Sequence, residues 1–334
     1  MRIVFMGSSA ASATCLRAIL RLPGLQVVGV VTQPDRPAGR GKVLTPCPCR
    51  AYAAERGITS CITPENVNSP DALEWIRAKK PDVVVVVAFG QFLKEELLNL
   101  PPHGCVNCHF SLLPKYRGAS PVTAAILAGE DMTGVSVIRM GLGMDDGPIL
   151  LKQFEPIYHD DTGETLMDRL AICGGVTLAK ALKLMSAGRL PPEEEQIDDR
   201  ATFAYKMKKS DGLIDWSCSS DEIDCRIRAF TPWPGSYSFL PTRFRRKGNT
   251  GRVVIASCEF AKPSPDQRTE LPGTVLAVTD RGPVVRTGST ALLLTALKPE
   301  GGRMLSGAEF LRGRPLVPLS DMLLSKVTSQ GKCD

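Results

Sequence analysis

Asn107-Cys108-His109 sets an amide donor and an imidazole two residues apart, and Ser111-Leu112-Leu113-Pro114-Lys115-Tyr116-Arg117-Gly118 follows at once. On a strand, residues two apart project from one face, so both side chains can address one substrate atom. Such a pair suits transfer of an acyl-like carbon to an amine. Attack on that carbon builds an oxyanion, which an amide N–H or an imidazolium can hold; one preorganised donor is worth about 3–4 kcal/mol. A carboxylate is also needed, to keep the imidazole charged and to help remove the proton released by the amine. Asp145, in Gly143-Met144-Asp145-Asp146-Gly147-Pro148, can supply it, with Asp146 as its rival.

The elements around these residues must bring them together. In the first half, strand-like runs at Arg2–Phe5, Val27–Thr32, Asp82–Ala88 and Val106–Cys108 alternate with helix-like segments at 13–22, 46–56 and 70–79. That alternation predicts an α/β fold of parallel βαβ units with helices on both faces. Val83 to Val87 is apolar at every position, the pattern of a central strand covered on both sides. Asn107 and His109 then fall near the carboxyl end of a parallel strand, where open α/β sheets bind ligands. Strands over Thr133–Met140 and Ile149–Phe154 would flank the Asp145 loop, and apolar spacing predicts a helix from Thr162 to Ala187.

A Gly-Arg-Leu-Pro-Pro break at 188–192 and a polar stretch after it divide the chain into a catalytic domain at 1–189 and a linker at 190–206. A second domain follows at 207–318, and a frayed tail at 319–334. Ser219-Ser220-Asp221-Glu222 is a capping box for a helix to Ala229. Short strand-like runs at Arg252–Ala256, Gly273–Val278, Pro283–Arg286 and Ala291–Leu297 predict a small all-β barrel.

Asn107-x-His109, the Ser111–Pro114 loop and Asp145-x-Gly147 together resemble the signature of the folate-dependent formyltransferases. The resemblance implies a Rossmann-like N-terminal domain, a C-terminal OB-like β-barrel, and 10-formyltetrahydrofolate as co-substrate with no metal. It makes Asn107, His109 and Asp145 catalytic, and favours Asp145 over Asp146. It places folate contacts on Ser111, Leu112, Leu113 and Pro114, and on Phe89 and Gly90 after the valine strand.

Thr32-Gln33-Pro34-Asp35-Arg36-Pro37-Ala38-Gly39-Arg40-Gly41-Lys42 is similar to the insertion that the family's tRNA-modifying branch sets against the acceptor end of tRNA. Arg36, Arg40 and Lys42 among Gly and Pro make a mobile cationic loop suited to phosphates. Ser210–Trp216 and Arg226-x-Arg228-Ala229-Phe230-x-Pro232-Trp233-Pro234-Gly235 resemble the start of that branch's second domain. Lys206, Lys208 and Lys209 lead into it, and Arg243, Arg245, Arg246 and Lys247 follow. The implied acceptor is the methionyl amine of initiator tRNA; a small amine such as a glycinamide ribotide or an amino sugar is the alternative within the class, and a catalytically dead RNA-binding module the alternative outside it. The resemblance covers about residues 1–316. Where the family has Gly-Thr-Pro-x-Phe after the first strand, this chain has Gly7-Ser8-Ser9-Ala10-Ala11.

Composition narrows the remaining classes. The 334 residues suffice for two domains, and the net charge of +6 is modest, so a polyanionic partner requires local clustering. The longest apolar run, Val83 to Phe89, is too short to span a membrane, and Met1–Met6 is too short for a signal-peptide core. A cytoplasmic protein with reduced thiols is expected from the eleven scattered cysteines, and nothing demands more than a monomer. Cys105-Val106-Asn107-Cys108-His109 formally matches a haem-attachment or redox pattern, but on a strand it reads as two buried thiols. Cys47-Pro48-Cys49 lacks a second pair at zinc spacing, and Gly7-Ser8-Ser9-Ala10-Ala11-Ser12 lacks the later glycines of a dinucleotide loop.

Overall fold

A computed structural model describes residues 1–38, 43–244 and 248–325. The chain forms two compact units that are not contiguous in sequence: Met1–Val122 with Asp131–Ile157 and Thr165–Tyr205, and Thr123–Glu130 with Tyr158–Glu164 and the chain from Lys206 onward.

The first half of unit one runs β1 (Arg2–Gly7), α1 (Ala10–Leu20), β2 (Gln26–Val31), β3 (Arg36–Ala38), β4 (Val43–Thr45), α2 (Pro48–Glu55), β5 (Cys61–Ile62), α3 (Pro70–Ala78) and β6 (Val83–Val87). Along the chain there follow α4 (Glu95–Leu98), β7 (Cys105–His109), β8 (Arg117–Gly118), α5 (Pro121–Leu127), β9 (Met132–Arg139), β10 (Ile149–Pro156), α6 (Gly163–Ser186) and β11 (Phe203–Ala204), of which most of α5 and the first residues of α6 belong to unit two. The main sheet has the order β10-β9-β7-β6-β1-β2-β5. Its strands are parallel from β5 through β7. Beyond β7 the direction reverses: β9 pairs antiparallel with β7, and β10 antiparallel with β9. The reversal ends β9 beside the start of β7, with Arg139 opposite Val106, and the loop that follows, between β9 and β10, carries Asp145.

All five valines of β6 are buried, as a strand covered on both faces requires. One face packs Val84 and Val86 with Val4, Met6, Leu73, Ile76 and Leu97. On the other, Gly174 of α6 comes so close to Cys108 Sγ that a Cβ would sit 2.9 Å from the sulfur. Helix α1 starts at Ser9, whose hydroxyl accepts from Ser12 N while Ser12 Oγ donates to Val87 O at 2.6 Å. Ser8 Oγ accepts from Gln33 N, so hydroxyls tie the Gly7–Ala11 turn to β6 and to the segment just after β2.

The segment expected as a linker is instead docked on unit one. Glu194 pairs with Ile149 through two backbone hydrogen bonds, and β11 adds in parallel to β8, with Phe203 opposite Arg117 and Ala204 opposite Gly118. Backbone pairing carries no apolar period, so a polar stretch hides it.

Unit two contains α7 (Ser220–Ala229), β12 (Ser236–Phe239), β13 (Arg252–Ala261), β14 (Val275–Val278), β15 (Pro283–Arg286), β16 (Ala291–Pro299), β17 (Leu305–Ser306) and α8 (Gly307–Gly313). Ser219 and Glu222 form the expected capping box. The antiparallel sheet has the order β12-β13-β16-β15-β14, with β17 on β16. Trp216, Ile223, Ile227, Val253, Leu294 and Phe310 are among the side chains that build its core. Residues 319–325, expected to fray, do not. Met322 bridges Thr274 beside β14 and Leu324 bridges Phe239 of β12, so this segment joins the two edge strands. Buried Asp321 anchors it, accepting from Val317 N and pairing with Arg243. A cover of this kind removes exposed strand edges. No described helix is long and apolar enough to cross a membrane.

Candidate active site

Asn107 and His109 stand on β7, and Asp145 reaches both from the β9–β10 loop. Asn107 Nδ2 donates to Asp145 Oδ1 at 3.1 Å, and Asp145 Oδ2 lies 3.5 Å from His109 Nδ1. Gly118 N–H donates to Asp145 Oδ2 at 2.9 Å. The other ring nitrogen, Nε2, is 2.9 Å from Tyr116 O; a carbonyl only accepts, so Nε2 carries its hydrogen there. Side-chain exposure is 6% for His109 and 16% for Asp145, so these contacts lie out of bulk water and are correspondingly strong. Asn107 retains a second amide hydrogen, which has no protein partner among the described residues.

Asp145 and Tyr116 both adopt left-handed backbone, with φ of 52° and 62°, a conformation that L residues hold only where the surroundings impose it. Asp146 is turned away. Its carboxylate lies over Gly141 and Gly143, where a Cβ would fall 2.9 Å and 2.0 Å from its oxygens. Gly147 explains its own place in the motif, because a Cβ there would stand 1.9 Å from Arg139 O at the end of β9.

The Ser111–Pro114 loop is pinned by a residue that sequence reading passed over. Ser136 of β9, opposite His109, donates its hydroxyl hydrogen to Ser111 O at 2.8 Å and accepts from Leu113 N at 3.0 Å. Ser111 Oγ donates to Lys115 O, and Leu113 is buried against Ile138 and Ile149. Those two side chains shape the loop; Leu112 and Pro114 are only partly buried. Phe89 is buried in the sheet core with its carbonyl held by Gln33 Nε2 at 3.1 Å, and Gly90 follows with φ 84°. Beside Asp145, Leu142 and Met144 leave apolar surface exposed. Apolar side chains next to backbone polar groups fit a flat heterocycle such as a pterin.

Gln196 and Thr202 were also missed, and Tyr116 and Gly118, within the quoted motif, had been given no role of their own. Gln196 Nε2 donates to Asp145 O at 2.8 Å and to Gly147 O at 2.7 Å. Thr202 Oγ1 accepts from Tyr116 N at 2.8 Å. A polar residue in a polar stretch gives no periodic signal, although a glutamine ending a run of glutamates is a local break in pattern.

Of the basic residues expected to meet tRNA, Arg36 is exposed on β3, which pairs with β4 as an antiparallel ribbon. The expected mobile loop thus has ordered flanks, while Arg40 and Lys42 lie outside the described residues, as do Arg245, Arg246 and Lys247. Lys206 and Lys208 are exposed at the start of unit two.

Cys105 and Cys108 project to opposite faces of β7 and are both buried. Burial pushes the Cys105 thiol up to about 12. A hydrogen bond with Cys15, reinforced by burial, holds Cys108 well above the usual thiol range. Both thiols are therefore held protonated at pH 8, and the thiolate is the reactive form. Iodoacetamide at that pH should leave both cysteines unmodified in the native protein and label them after denaturation. Extensive native labelling of either, read by peptide mass spectrometry, would contradict the burial. Among the described residues no group of three or more His, Cys, Asp or Glu side chains is arranged to hold a metal ion.

The profile of the Formyl transferase family matches residues 1–182, and that of its C-terminal domain matches residues 206–315. The methionyl-tRNA formyltransferase of Geobacter sulfurreducens is 40% identical over 318 residues, spanning 95% of this chain and 95% of its own length. That of Bacillus subtilis is 40% identical over 313 residues, 93% of this chain and 94% of its own. In fold, the chain resembles an N-formyltransferase from Helicobacter canadensis, solved with folinic acid and dTDP-3-aminofucose. The TM-score is 0.59 at 17% identity, over 87% of this chain and 98% of that one. Matched in both domains and along nearly its whole length, the chain belongs to the formyl transferase family, among the methionyl-tRNA formyltransferases.

Proposed function

We propose that this chain transfers the formyl group of 10-formyltetrahydrofolate to the free amino group of the methionyl moiety of initiator Met-tRNA, giving formyl-Met-tRNA for translation initiation. The observation that carries the reading is the convergence of Asn107, Gly118 and His109 on one carboxylate, Asp145, at the end of β7. Near-full-length identity to methionyl-tRNA formyltransferases supports the acceptor. The enzyme works in the cytoplasm as a monomer.

When bound, the folate supplies the carbon to be transferred. Leu112, Pro114 and the backbone from Phe89 to Gly90 hold its ring. Asn107 directs its second amide hydrogen at the carbonyl oxygen on which negative charge grows as the amine attacks. His109 Nε2–H moves from Tyr116 O to the same oxygen. Asp145 keeps the ring in place from Nδ1 and helps draw off the proton that the amine loses; as the oxyanion collapses, the bond from the formyl carbon to the folate nitrogen breaks and that nitrogen takes up a proton, leaving tetrahydrofolate. Fixed donors in a largely buried site need no reorganisation when the charge appears.

Incubating the protein with 10-formyltetrahydrofolate and Met-tRNA, and weighing the aminoacyl end by mass spectrometry, should show a gain of one formyl group. Formylation of a glycinamide ribotide or an amino sugar, with Met-tRNA untouched, would move the reading to the small-amine alternative. Exposed Arg36, Lys206 and Lys208 should contact phosphates. In the same preparation, tRNA affinity should therefore fall about tenfold or more between about 50 and 200 mM salt; a flat response would remove these residues from the interface.

A further inference from the structure

The proposed chemistry depends on a carboxylate mounted on unfavourable backbone. Asp145 has φ 52°, and nothing within its own loop supplies a regular hydrogen-bond ladder to keep it so. What holds it is a side chain from the segment that sequence reading took for a linker. Gln196 is the one residue between 191 and 200 that is not exposed. Its amide nitrogen gives one hydrogen to Asp145 O at 2.8 Å and the other to Gly147 O at 2.7 Å. Its amide oxygen accepts from Arg117 Nε at 3.0 Å.

Every partner dictates the orientation. Carbonyl oxygens only accept, so the nitrogen must face the loop; a guanidinium only donates, so the oxygen must face Arg117. Arg117 is itself fixed, buried to 7% side-chain exposure and paired with Asp198 at 2.8 Å. Arg117 also lies on β8, directly before Gly118, whose N–H donates to the Asp145 carboxylate. One guanidinium thus braces both sides of the carboxylate: through Gln196 it supports the backbone of Asp145, and through its own strand it sets the Gly118 donor.

We propose that Gln196, braced by Arg117, is a positioning residue for formyl transfer, holding the strained Asp145–Gly147 turn so that the carboxylate meets Asn107 and His109; this rests on the transfer reaction proposed above. It touches no reacting atom. The geometry also says why glutamate, which the chain carries at the three preceding positions, does not serve. Gln196→Glu keeps the shape and sets carboxylate oxygens against two carbonyl oxygens that need donors.

The test measures kcat, KM for Met-tRNA and KM for 10-formyltetrahydrofolate in Gln196→Glu and Gln196→Ala, with exposed Glu195→Gln as control. Both Gln196 variants should lose about 10- to 100-fold in kcat, as removal of a side chain that orients a reacting group does, with each KM within about threefold. The pH profile of kcat should shift, because the carboxylate no longer sits square to the imidazole. Amide hydrogen exchange over 141–148 should quicken in both variants while the β6 and β7 amides stay protected. A kcat within twofold of the parent in both, or a change confined to the KM for tRNA, would overturn the assignment. So would unchanged exchange over 141–148, and that measurement requires no activity. Should the parent itself transfer no formyl group, the functional reading would fall, and hydrogen exchange would still decide whether Gln196 holds the turn.

Discussion

Asp145→Asn should lower the single-turnover rate of formyl transfer by about 10³-fold or more and leave the fold intact, as replacing a buried, histidine-orienting carboxylate by its amide does elsewhere. The reason is a count of donors. Asn107 Nδ2–H meets Oδ1, while Gly118 N–H and the His109 Nδ1 edge meet Oδ2. A carboxylate accepts at both oxygens, but an amide has one acceptor and one donor end. Either orientation of the substituted amide would set N–H against N–H, at Asn107 or at Gly118. The turn would open to relieve it, and the ring would lose its brace. Stopped-flow or quench kinetics with saturating Met-tRNA and folate would measure the effect. A rate within tenfold of the parent, in a protein with an unchanged melting temperature, would mean that the carboxylate is a structural acceptor only.

Asn107→Ala and His109→Ala should each reduce kcat by about 10²–10³-fold, or about 2.7–4 kcal/mol of transition-state stabilisation, the range seen when one oxyanion donor is removed. The loss should fall on kcat with KM for Met-tRNA nearly constant, because a bond made only as charge develops contributes little to ground-state binding. The double variant should be far from additive, since both side chains lean on the same carboxylate and act as one unit. Rates within threefold of the parent in both single variants would remove the pair from the chemistry. The two substitutions differ in a way that checks the geometry. Asn107→Ala leaves Oδ1 of Asp145 without its donor, whereas His109→Ala leaves Tyr116 O unpartnered by the ring and opens a space between the two loops.

Much of this site was legible in the order of residues. Period-2 spacing puts Asn107 and His109 on one face of a strand, and the unbroken valines of 83–87 mark the sheet's buried middle; both follow from the strand's fixed side-chain repeat. The capping box at Ser219 is likewise local, satisfied by residues three apart. The antiparallel turn of β9 against β7 was not legible, because strand composition carries no direction.

Between Asp145 and Asp146, adjacent and identical in type, only the family resemblance chose, through the spacing to Gly147. The sheet settles it. Gly147 packs against Arg139 O with no room for a side chain, and that contact fixes the turn so that the first aspartate faces β7 and the second faces Gly141 and Gly143. The polar segment at 190–206 shows the same limit more plainly. Its docking rests on backbone pairing at Glu194 and Phe203–Ala204 and on the amide of Gln196. None of these has a periodic signature, so from sequence alone the segment is indistinguishable from a solvated connector. Likewise Ser136 and Asp321 look like ordinary polar residues until burial reveals what each one ties together. By itself, the sequence determined the α/β class, the strand that bears the amide and the imidazole, and the family. Only tertiary structure decided how the aspartate is turned to meet them and which distant glutamine holds it there. Side-chain repeats are written locally along the chain, whereas hydrogen-bond partners 49 and 51 residues apart are chosen by the fold.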